Sequence, residues 1–151
     1  MLDTQVSDFE LPATGPSPFR LSAQRGKTVV LYFYPKDSTP GCTTEAQQFR
    51  DLHADFLAAG CVIAGVSRDS LRSHENFKLK QELPFELISD PEETLCTQFA
   101  VVREKKMYGK LVRGIERSTF VIDTQGVLRR EWRGVKVPGH AQEVLDYVRT
   151  L

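Results

Sequence analysis

The sequence predicts an α/β fold in which a central mixed sheet is flanked by helices. Two almost uninterrupted apolar runs, at 28–34 and 61–67, have the composition of strands that are buried on both faces. A helical pattern follows each run, which is the order of parallel strands joined by right-handed crossovers. Two further β-rich runs joined by a turn at 123–126 predict a hairpin of antiparallel strands.

The helix after the first strand has the clearest helical pattern. Between residues 43 and 59, apolar side chains recur at steps of three and four, and Gly60 follows as a C-terminal stop. These apolar positions are Ala46, Phe49, Leu52, Phe56 and Ala59. The pattern predicts one amphipathic helix over 43–59.

The other elements are predicted from similar local signals. The segment before residue 28 is rich in Pro, Gly and Ser, which predicts short edge strands and turns. The later elements are a helix over 69–83 capped by Asp69, a strand over 85–90, a short helix over 91–100 that starts at Pro91, the hairpin over 117–132, and a helix over 138–151.

Length and composition narrow the class of protein. At 151 residues the chain can bury its own core, and we expect a single domain over 1–151. Its 20 acidic and 20 basic side chains cancel, so no overall field favours nucleic acid. We expect no membrane span, because no apolar run approaches ~20 residues, and we find no signal-peptide pattern. Three widely spaced cysteines fit free thiols in a reducing compartment, so we expect a cytoplasmic protein.

Cys42 is the candidate reactive residue. It lies in the stretch "PKDSTPGCTTEAQ", between the strand 28–34 and the predicted helix, at the edge of a parallel sheet where ligands bind. The unpaired N–H groups and the dipole of a helix N-terminus favour an anion, and therefore the thiolate form of this cysteine. Glu45 opposes this by like-charge repulsion, so a nearby cation is needed.

Arg117 is the candidate cation. It opens the predicted strand 118–123, and an antiparallel strand begins at the edge where parallel strands end, so Arg117 and Cys42 are expected on one rim of the sheet. The alternative is one more solvated arginine. Thr39 is a candidate hydrogen-bond partner for the group that the thiolate attacks, or only a turn residue. Pro35 is expected to shape the loop and shield the sulfur, or only to end the strand.

Two stretches of the chain resemble one enzyme family. The spacing Pro35-xxx-Thr39-xx-Cys42, within "FYPKDSTPGCTTEAQQFRD", resembles the active-site signature of the peroxiredoxins, in particular their peroxiredoxin Q or bacterioferritin comigratory protein branch. The stretch "EKKMYGKLVRGIERSTFVID", which contains Arg117, is similar to the same branch. The similarity runs from "SDFELPAT" to the hairpin. It implies a thioredoxin-like fold with Cys42 as the peroxidatic cysteine and with Pro35, Thr39 and Arg117 completing the site.

The resemblance implies a thiol-dependent peroxidase without a metal or an organic cofactor. The thiolate of Cys42 would attack one peroxide oxygen, giving a sulfenic acid and releasing water or an alcohol. The three histidines, at 53, 74 and 140, lie on separate predicted helices without ligand spacing, so we expect no metal site. His53 is expected at the surface or at its boundary.

The sequence departs from the family pattern at the second cysteine. Relatives carry a resolving cysteine at positions that here hold Gln47 or Lys78. Cys61 opens a parallel strand and should lie on the opposite rim, roughly 20 Å from Cys42 by strand rise, whereas a disulfide needs Cα atoms within ~7 Å. Cys96 is interpreted as a packing residue, and a resolving role after local unfolding is the alternative.

We therefore expect a one-cysteine mechanism, in which an external thiol reduces the sulfenic acid: thioredoxin, or glutaredoxin with glutathione. We also expect a monomer. A two-cysteine enzyme that uses Cys96 is the alternative. A thiol–disulfide oxidoreductase of the same fold would need Cys-x-x-Cys, but Thr39 and Glu45 occupy the flanking positions. A non-enzymatic binding or holdase protein on the same scaffold is a further class.

Overall fold

A five-stranded mixed sheet is the centre of the computed structural model, which describes residues 1–151. The elements are β1 (Glu10–Leu11), β2 (Phe19–Arg20), β3 (Thr28–Phe33), α1 (Pro40–Asp51), α2 (His53–Ala58), β4 (Cys61–Ser67), α3 (Leu71–Gln81), β5 (Glu86–Ser89), α4 (Thr94–Gln98), β6 (Val102–Met107), β7 (Lys110–Ile115), β8 (Ser118–Ile122), β9 (Leu128–Arg133) and α5 (His140–Val148). The strand order is β5–β4–β3–β8–β9. Strands β3, β4 and β5 are parallel, β8 is antiparallel to β3, and β9 is antiparallel to β8. This architecture confirms the predicted fold class.

Two apolar cores cover the two faces of this sheet. Successive side chains of a strand point to opposite faces, and all six residues of β3 are buried. Phe33 packs into a core that contains Cys96 of α4. Its neighbour Tyr32 packs into the other core, which contains Cys42 of α1. The sheet therefore lies between these two cysteines.

The helix predicted over 43–59 is in fact two helices. Helix α1 begins earlier, at Pro40, whose missing N–H is harmless at a first helical position. The chain leaves the helical conformation at Leu52 (φ −98°, ψ 2°), and α2 follows. Phe49 and Phe56 lie on either side of this break but pack into the same core, so the apolar spacing continues across it. The periodicity alone therefore did not reveal the break.

The N-cap of α3 is one residue later than predicted. Ser70, and not Asp69, is the N-cap, and its Oγ accepts a hydrogen bond from the N–H of Ser73. Asp69 instead accepts a hydrogen bond from the backbone N–H of Asp37. The helix predicted over 91–100 is also shorter than expected, because Pro91 lies in a turn before α4.

Strands β6 and β7 form a hairpin that the sequence reasoning missed. They pair only with each other in a two-stranded sheet, and the side chain of Tyr108 at the tip is 99% exposed. Almost all residues of β6 are exposed, so the sequence lacks the alternation of apolar and polar residues that is typical of a half-buried strand. This hairpin leads directly into Glu116 and Arg117 at the start of β8.

The predicted C-terminal helix is α5, which starts after Gly139 at a φ of 77°. Its buried residues belong to the core on the Cys42 side of the sheet. None of the helices has both the length and the apolar character that crossing a bilayer requires.

Candidate active site

Cys42 is the third residue of α1, at the carboxyl end of β3. Its side chain lies in the core beside the sheet, and the residue is only 2% exposed. The first N–H of this turn with a backbone acceptor is that of Thr43, which donates to the carbonyl of Thr39. The N–H groups of Gly41 and Cys42 are therefore available to an anion or a substrate oxygen. The predicted position of this thiol in the first turn of the helix is confirmed.

Arg117 is the cation beside this sulfur. Its Nη2 lies 3.4 Å from Cys42 Sγ, and Nη1 donates to Glu45 Oε1 at 2.7 Å. The pairing of Phe33 with Ser118 brings the start of β8 to the rim where β3 ends, as the topology argument predicted. A Cβ at Gly41 would come within 3.3 Å of the guanidinium, so the absence of a side chain there permits this approach.

Glu45, which was expected only to repel the thiolate, is buried and paired with Arg117. Its side chain is 1% exposed, and its Oε2 has no hydrogen-bond partner although Oε1 is paired with Arg117. Burial raises the pKa of Glu45 to about 7, and the coulombic attraction of Arg117 opposes that rise. A carboxyl that is partly protonated near neutrality repels a thiolate less than a fully charged one does.

Pro35 begins and Thr39 ends the part of the loop that leads to Cys42. Thr39 is the N-cap of α1, and its hydroxyl donates to the carbonyl of Lys36 at 2.8 Å. Because the hydroxyl hydrogen is used in this bond, Thr39 Oγ1 can accept a hydrogen bond from a bound substrate. Pro35 follows the buried residue Tyr34, which comes directly after β3, and is itself exposed.

A buried network under this loop was missed by the sequence reasoning. The potential ligand atoms of Asp37, Asp69 and His74 lie within 4.8 Å of one another. Each of these side chains is engaged in hydrogen bonds with protein groups, including a 2.7 Å contact between His74 Nδ1 and Asp37 Oδ2. Asp37 and His74 are 37 positions apart, so no local spacing in the sequence could have revealed the pair.

Cys61 lies at the end of the sheet opposite Cys42. It pairs with Thr28, the first residue of β3, whereas Cys42 follows the last. Its Sγ is 3.8 Å from the carbonyl of Ala59, and burial raises the pKa of this thiol to about 11. A neutral, buried thiol at this position is a packing group.

Cys96 lies on the opposite face of the sheet from Cys42. It is fully buried in the core with Phe33 and Phe99. Its N–H donates to Asp90 Oδ2 at 2.8 Å, and burial followed by the contact with Asp90 raises the pKa of its thiol well above the usual range. The predicted packing environment is therefore observed.

The two positions at which the family resemblance would place a resolving cysteine hold Gln47 and Lys78, and both side chains make polar contacts. Gln47 Nε2 donates to Gln81 Oε1 at 3.0 Å. Lys78 Nζ lies 2.7 Å from Glu86 Oε1. All three cysteines of the chain are free thiols in this structure.

Comparisons with known proteins show the family of this chain. Residues 2–131 match the AhpC/TSA family. A peroxiredoxin Bcp of Xanthomonas campestris is 51% identical over 147 residues, covering 96% of this chain and 92% of that protein. One of Bacillus subtilis is 50% identical over 147 residues, covering 97% of this chain and 94% of that protein.

Solved structures extend the likeness to the fold. A structure of the Xanthomonas campestris bacterioferritin comigratory protein, studied for alkyl peroxide reduction, matches with a TM-score of 0.90 at 50% identity, covering 94% of this chain and 90% of that one. A mutant of Xylella fastidiosa PrxQ gives a TM-score of 0.93 at 41% identity, covering 99% of this chain and 96% of that one. These neighbours confirm the thioredoxin-like peroxiredoxin fold. The chain belongs to the AhpC/TSA family, in its Bcp or peroxiredoxin Q branch, and is a thiol-dependent peroxidase.

Proposed function

We propose that this chain reduces hydrogen peroxide and organic hydroperoxides through a sulfenic acid on Cys42, with Thr39, Arg117 and Pro35 completing the site. The observation that carries this proposal is the contact between Arg117 Nη2 and Cys42 Sγ, 3.4 Å, at the N-terminus of α1. A cation and free N–H groups together stabilise the thiolate, which is the nucleophilic form. The alkyl peroxide reduction studied in the Xanthomonas relative supports organic hydroperoxides as substrates.

The reaction is a displacement at oxygen. The Cys42 sulfur attacks the terminal oxygen of the hydroperoxide, an S–O bond forms and the O–O bond breaks. Sulfur is oxidised to sulfenic acid, and the leaving alkoxide takes a proton from solvent to become an alcohol, or water when the substrate is hydrogen peroxide. Negative charge moves from sulfur to the leaving oxygen.

Protein groups are arranged for both ends of this displacement. The Arg117 guanidinium and the N–H groups of Gly41 and Cys42 can stabilise the charge as it moves. Thr39 Oγ1 is assigned as the acceptor for the peroxide O–H, because its own hydrogen is donated to Lys36. Pro35 has no backbone N–H, so it is assigned to close the loop beside the sulfur without adding an unpaired donor.

We assign the second half of the cycle to an external thiol: thioredoxin, or glutaredoxin with glutathione. Cys61 is at the other end of the sheet and Cys96 is on its other face, and both are in their neutral forms near neutrality because their pKa values are raised. The external thiol forms a mixed disulfide with Cys42, releasing water, and a second thiol then reduces that disulfide.

We also propose that the chain works as a monomer in the cytoplasm. The odd number of cysteines, all free thiols, fits a reducing compartment. Exposed large apolar side chains are few, and apart from those of the β6–β7 hairpin they lie at the termini and singly on α2 and α3.

The test of the peroxidase assignment is a stopped-flow titration of the reduced protein with hydrogen peroxide and with an alkyl hydroperoxide, followed by mass spectrometry. We expect stoichiometric consumption, a gain of one oxygen on Cys42, and complete loss of consumption in Cys42→Ser. Consumption that persists in Cys42→Ser would refute the assignment. Disulfide-exchange activity without peroxide consumption would favour the oxidoreductase class instead.

A further inference from the structure

A buried hydrogen-bond network supports the loop between β3 and α1. Its centre is the Asp37 carboxyl group, which is 2% exposed. Tyr34 Oη donates to Asp37 Oδ1 at 2.6 Å, and Ser73 Oγ donates to Oδ2 at 2.8 Å. His74 Nδ1 lies 2.7 Å from the same Oδ2, and the His74 side chain is fully buried. The network therefore joins the loop to the first turns of α3.

The hydrogen bonds of His74 determine where its protons lie. Its Nε2 is 2.9 Å from the carbonyl oxygen of Ile88, and because a carbonyl can only accept, Nε2 carries a hydrogen. Its Nδ1 faces Oδ2 of the Asp37 carboxyl group, which accepts hydrogen bonds from Tyr34 and Ser73 as well. An ionised Asp37 also only accepts, so Nδ1 carries the second hydrogen. The ring is then an imidazolium.

The charges around the pair agree with this protonation state. The carboxylate of Asp69 belongs to the same cluster and accepts from the N–H of Asp37 and from the hydroxyl of Ser67. The buried carboxylate of Asp37, with the half-buried carboxylate of Asp69 this close to it, is costly without a cation. The ion-pair partner of Asp37 is His74.

The loop that this pair supports is strained. Ser38, directly after Asp37, has a φ of 64°, in the left-handed region that side chains other than glycine rarely adopt. Thr39 follows Ser38. The Thr39 carbonyl accepts the first backbone hydrogen bond of α1, and the Thr39 hydroxyl donates to the carbonyl of Lys36. A strained backbone persists only where its surroundings hold it in place. Asp37 is the residue at which this loop is held.

We propose that His74, as a buried imidazolium between Asp37 and the Ile88 carbonyl, is a positioning residue for peroxide reduction. It fixes the strained loop in the conformation that presents Thr39 Oγ1 to the peroxide. It touches neither the substrate nor Cys42, and it acts through Asp37. This inference rests on the proposed function of Cys42 and adds a residue to that site.

The protonation state can be measured on the wild-type protein. We expect nitrogen NMR at neutral pH to find both ring nitrogens of His74 protonated, and Asp37→Asn to leave one of them unprotonated. A neutral His74 ring in the wild-type protein overturns the proposal, whether or not any variant folds. This measurement does not depend on peroxide activity, so it separates failure of the inference from failure of the proposed function.

The positioning role is tested by two reactions of Cys42. In His74→Leu we expect the second-order rate constant with hydrogen peroxide to fall at least tenfold, whereas alkylation by iodoacetamide, which needs the thiolate but not Thr39, stays within threefold. The matched control is His140→Leu, which removes another buried histidine, on α5, whose Nε2 lies 2.8 Å from Thr119 Oγ1. We expect this control to lose stability but to keep both rates.

The two rates together decide whether His74 is a positioning residue. An unchanged peroxide rate in a folded His74→Leu protein overturns the proposal, and so does an equal fall in both rates, which would indicate general damage to the site. If His74→Leu does not fold, Asp37→Asn takes its place, because it preserves size and an acceptor for Tyr34 Oη while removing the charge. We expect that variant to lose peroxide rate several-fold, again with alkylation preserved, and an unchanged rate would contradict a positioning role for the ion pair of Asp37 and His74.

Discussion

Cys42 and Cys96 differ in their charged neighbours although their positions in the fold are alike. Each is the third residue of a helix that follows a parallel strand, α1 after β3 and α4 after β5, and each is buried. Their electrostatic neighbours are opposite in sign. Arg117 lies 3.4 Å from the sulfur of Cys42, whereas the N–H of Cys96 is taken by the carboxylate of Asp90.

A helix N-terminus alone therefore does not determine the charge next to a thiol. In α4 the anion-binding capacity of the helix start is already used by Asp90, and that carboxylate together with burial keeps Cys96 neutral. In α1 the corresponding N–H groups are open and the nearby acid, Glu45, is paired with Arg117. The sign of the nearest charge distinguishes the surroundings of Cys42 from those of Cys96.

The largest expected effect comes from removing the cation. We expect Arg117→Ala to slow the reaction of Cys42 with hydrogen peroxide by roughly 10²–10³, the usual cost of losing one transition-state donor. Stopped-flow fluorescence or competition kinetics measures it. Arg20→Ala is the matched control, because that arginine is more than half exposed and pairs with Glu10 on the surface. A rate in Arg117→Ala within threefold of wild type would mean that the helix terminus alone activates Cys42. The sign of the neighbouring charge would then not explain a difference between Cys42 and Cys96.

The sequence predicted those parts of the site that topology or motif spacing determines. Cys42 at the start of α1 follows from an apolar strand, a Pro-Gly turn and helical periodicity, and Arg117 follows from the antiparallel direction of β8. The partners of these residues did not follow. Glu45 and Arg117 are 72 positions apart, and their pairing depends on side-chain packing that no local pattern encodes.

The errors in the predicted elements have similar physical causes. The break at Leu52 interrupts the hydrogen bonding of the helix but not the packing of its apolar face, and only the packing leaves a trace in the sequence. The β6–β7 hairpin buries almost nothing, so the alternation that indicates a strand never arose. Both features depend on backbone contacts rather than on burial.

A second test concerns the acid beside Cys42. With a pKa raised from 4.5 to about 7 in the folded state, Glu45 keeps its proton where the unfolded chain loses it. Its contribution to stability is therefore fully present below pH 4.5 and is lost as pH rises through about 7. The shift corresponds to roughly 3 kcal/mol.

We expect Glu45→Gln to abolish most of this pH dependence. Urea unfolding at pH values on either side of the window measures the free energy of unfolding in each protein. Glu92→Gln is the control, because Glu92 is exposed. Equal pH dependence in wild type and Glu45→Gln would mean that Glu45 is ionised throughout, so that Arg117 would face a full negative charge beside the thiolate.

A third and smaller effect is expected at the acid beside Cys96. Asp90→Asn removes one of the causes that raise the pKa of this thiol but leaves burial, the largest cause, in place. We expect the pKa of Cys96 to fall while staying above the usual range. Thiolate absorbance against pH, in a background where Cys42 and Cys61 are serine, measures it. A pKa that is unchanged or rises in Asp90→Asn would show that this carboxylate is not what distinguishes Cys96 from Cys42.

The smallest expected effect is the most informative about the catalytic cycle. If Cys96 is only a packing residue, Cys96→Ser should change turnover with an external thiol by less than twofold, and Cys61→Ser should behave in the same way. One equivalent of peroxide should add one oxygen to Cys42 in wild type and in both variants, as read by intact mass and non-reducing peptide maps. Because no internal thiol traps it, the sulfenic acid should also be further oxidised at high peroxide.

A disulfide between Cys42 and Cys96 in wild type, with turnover lost in Cys96→Ser, would require α4 to leave the core in which Cys96 is fully buried and to pass to the other face of the sheet. That outcome would make Cys96 the resolving residue and would mean that its static surroundings conceal its reactivity.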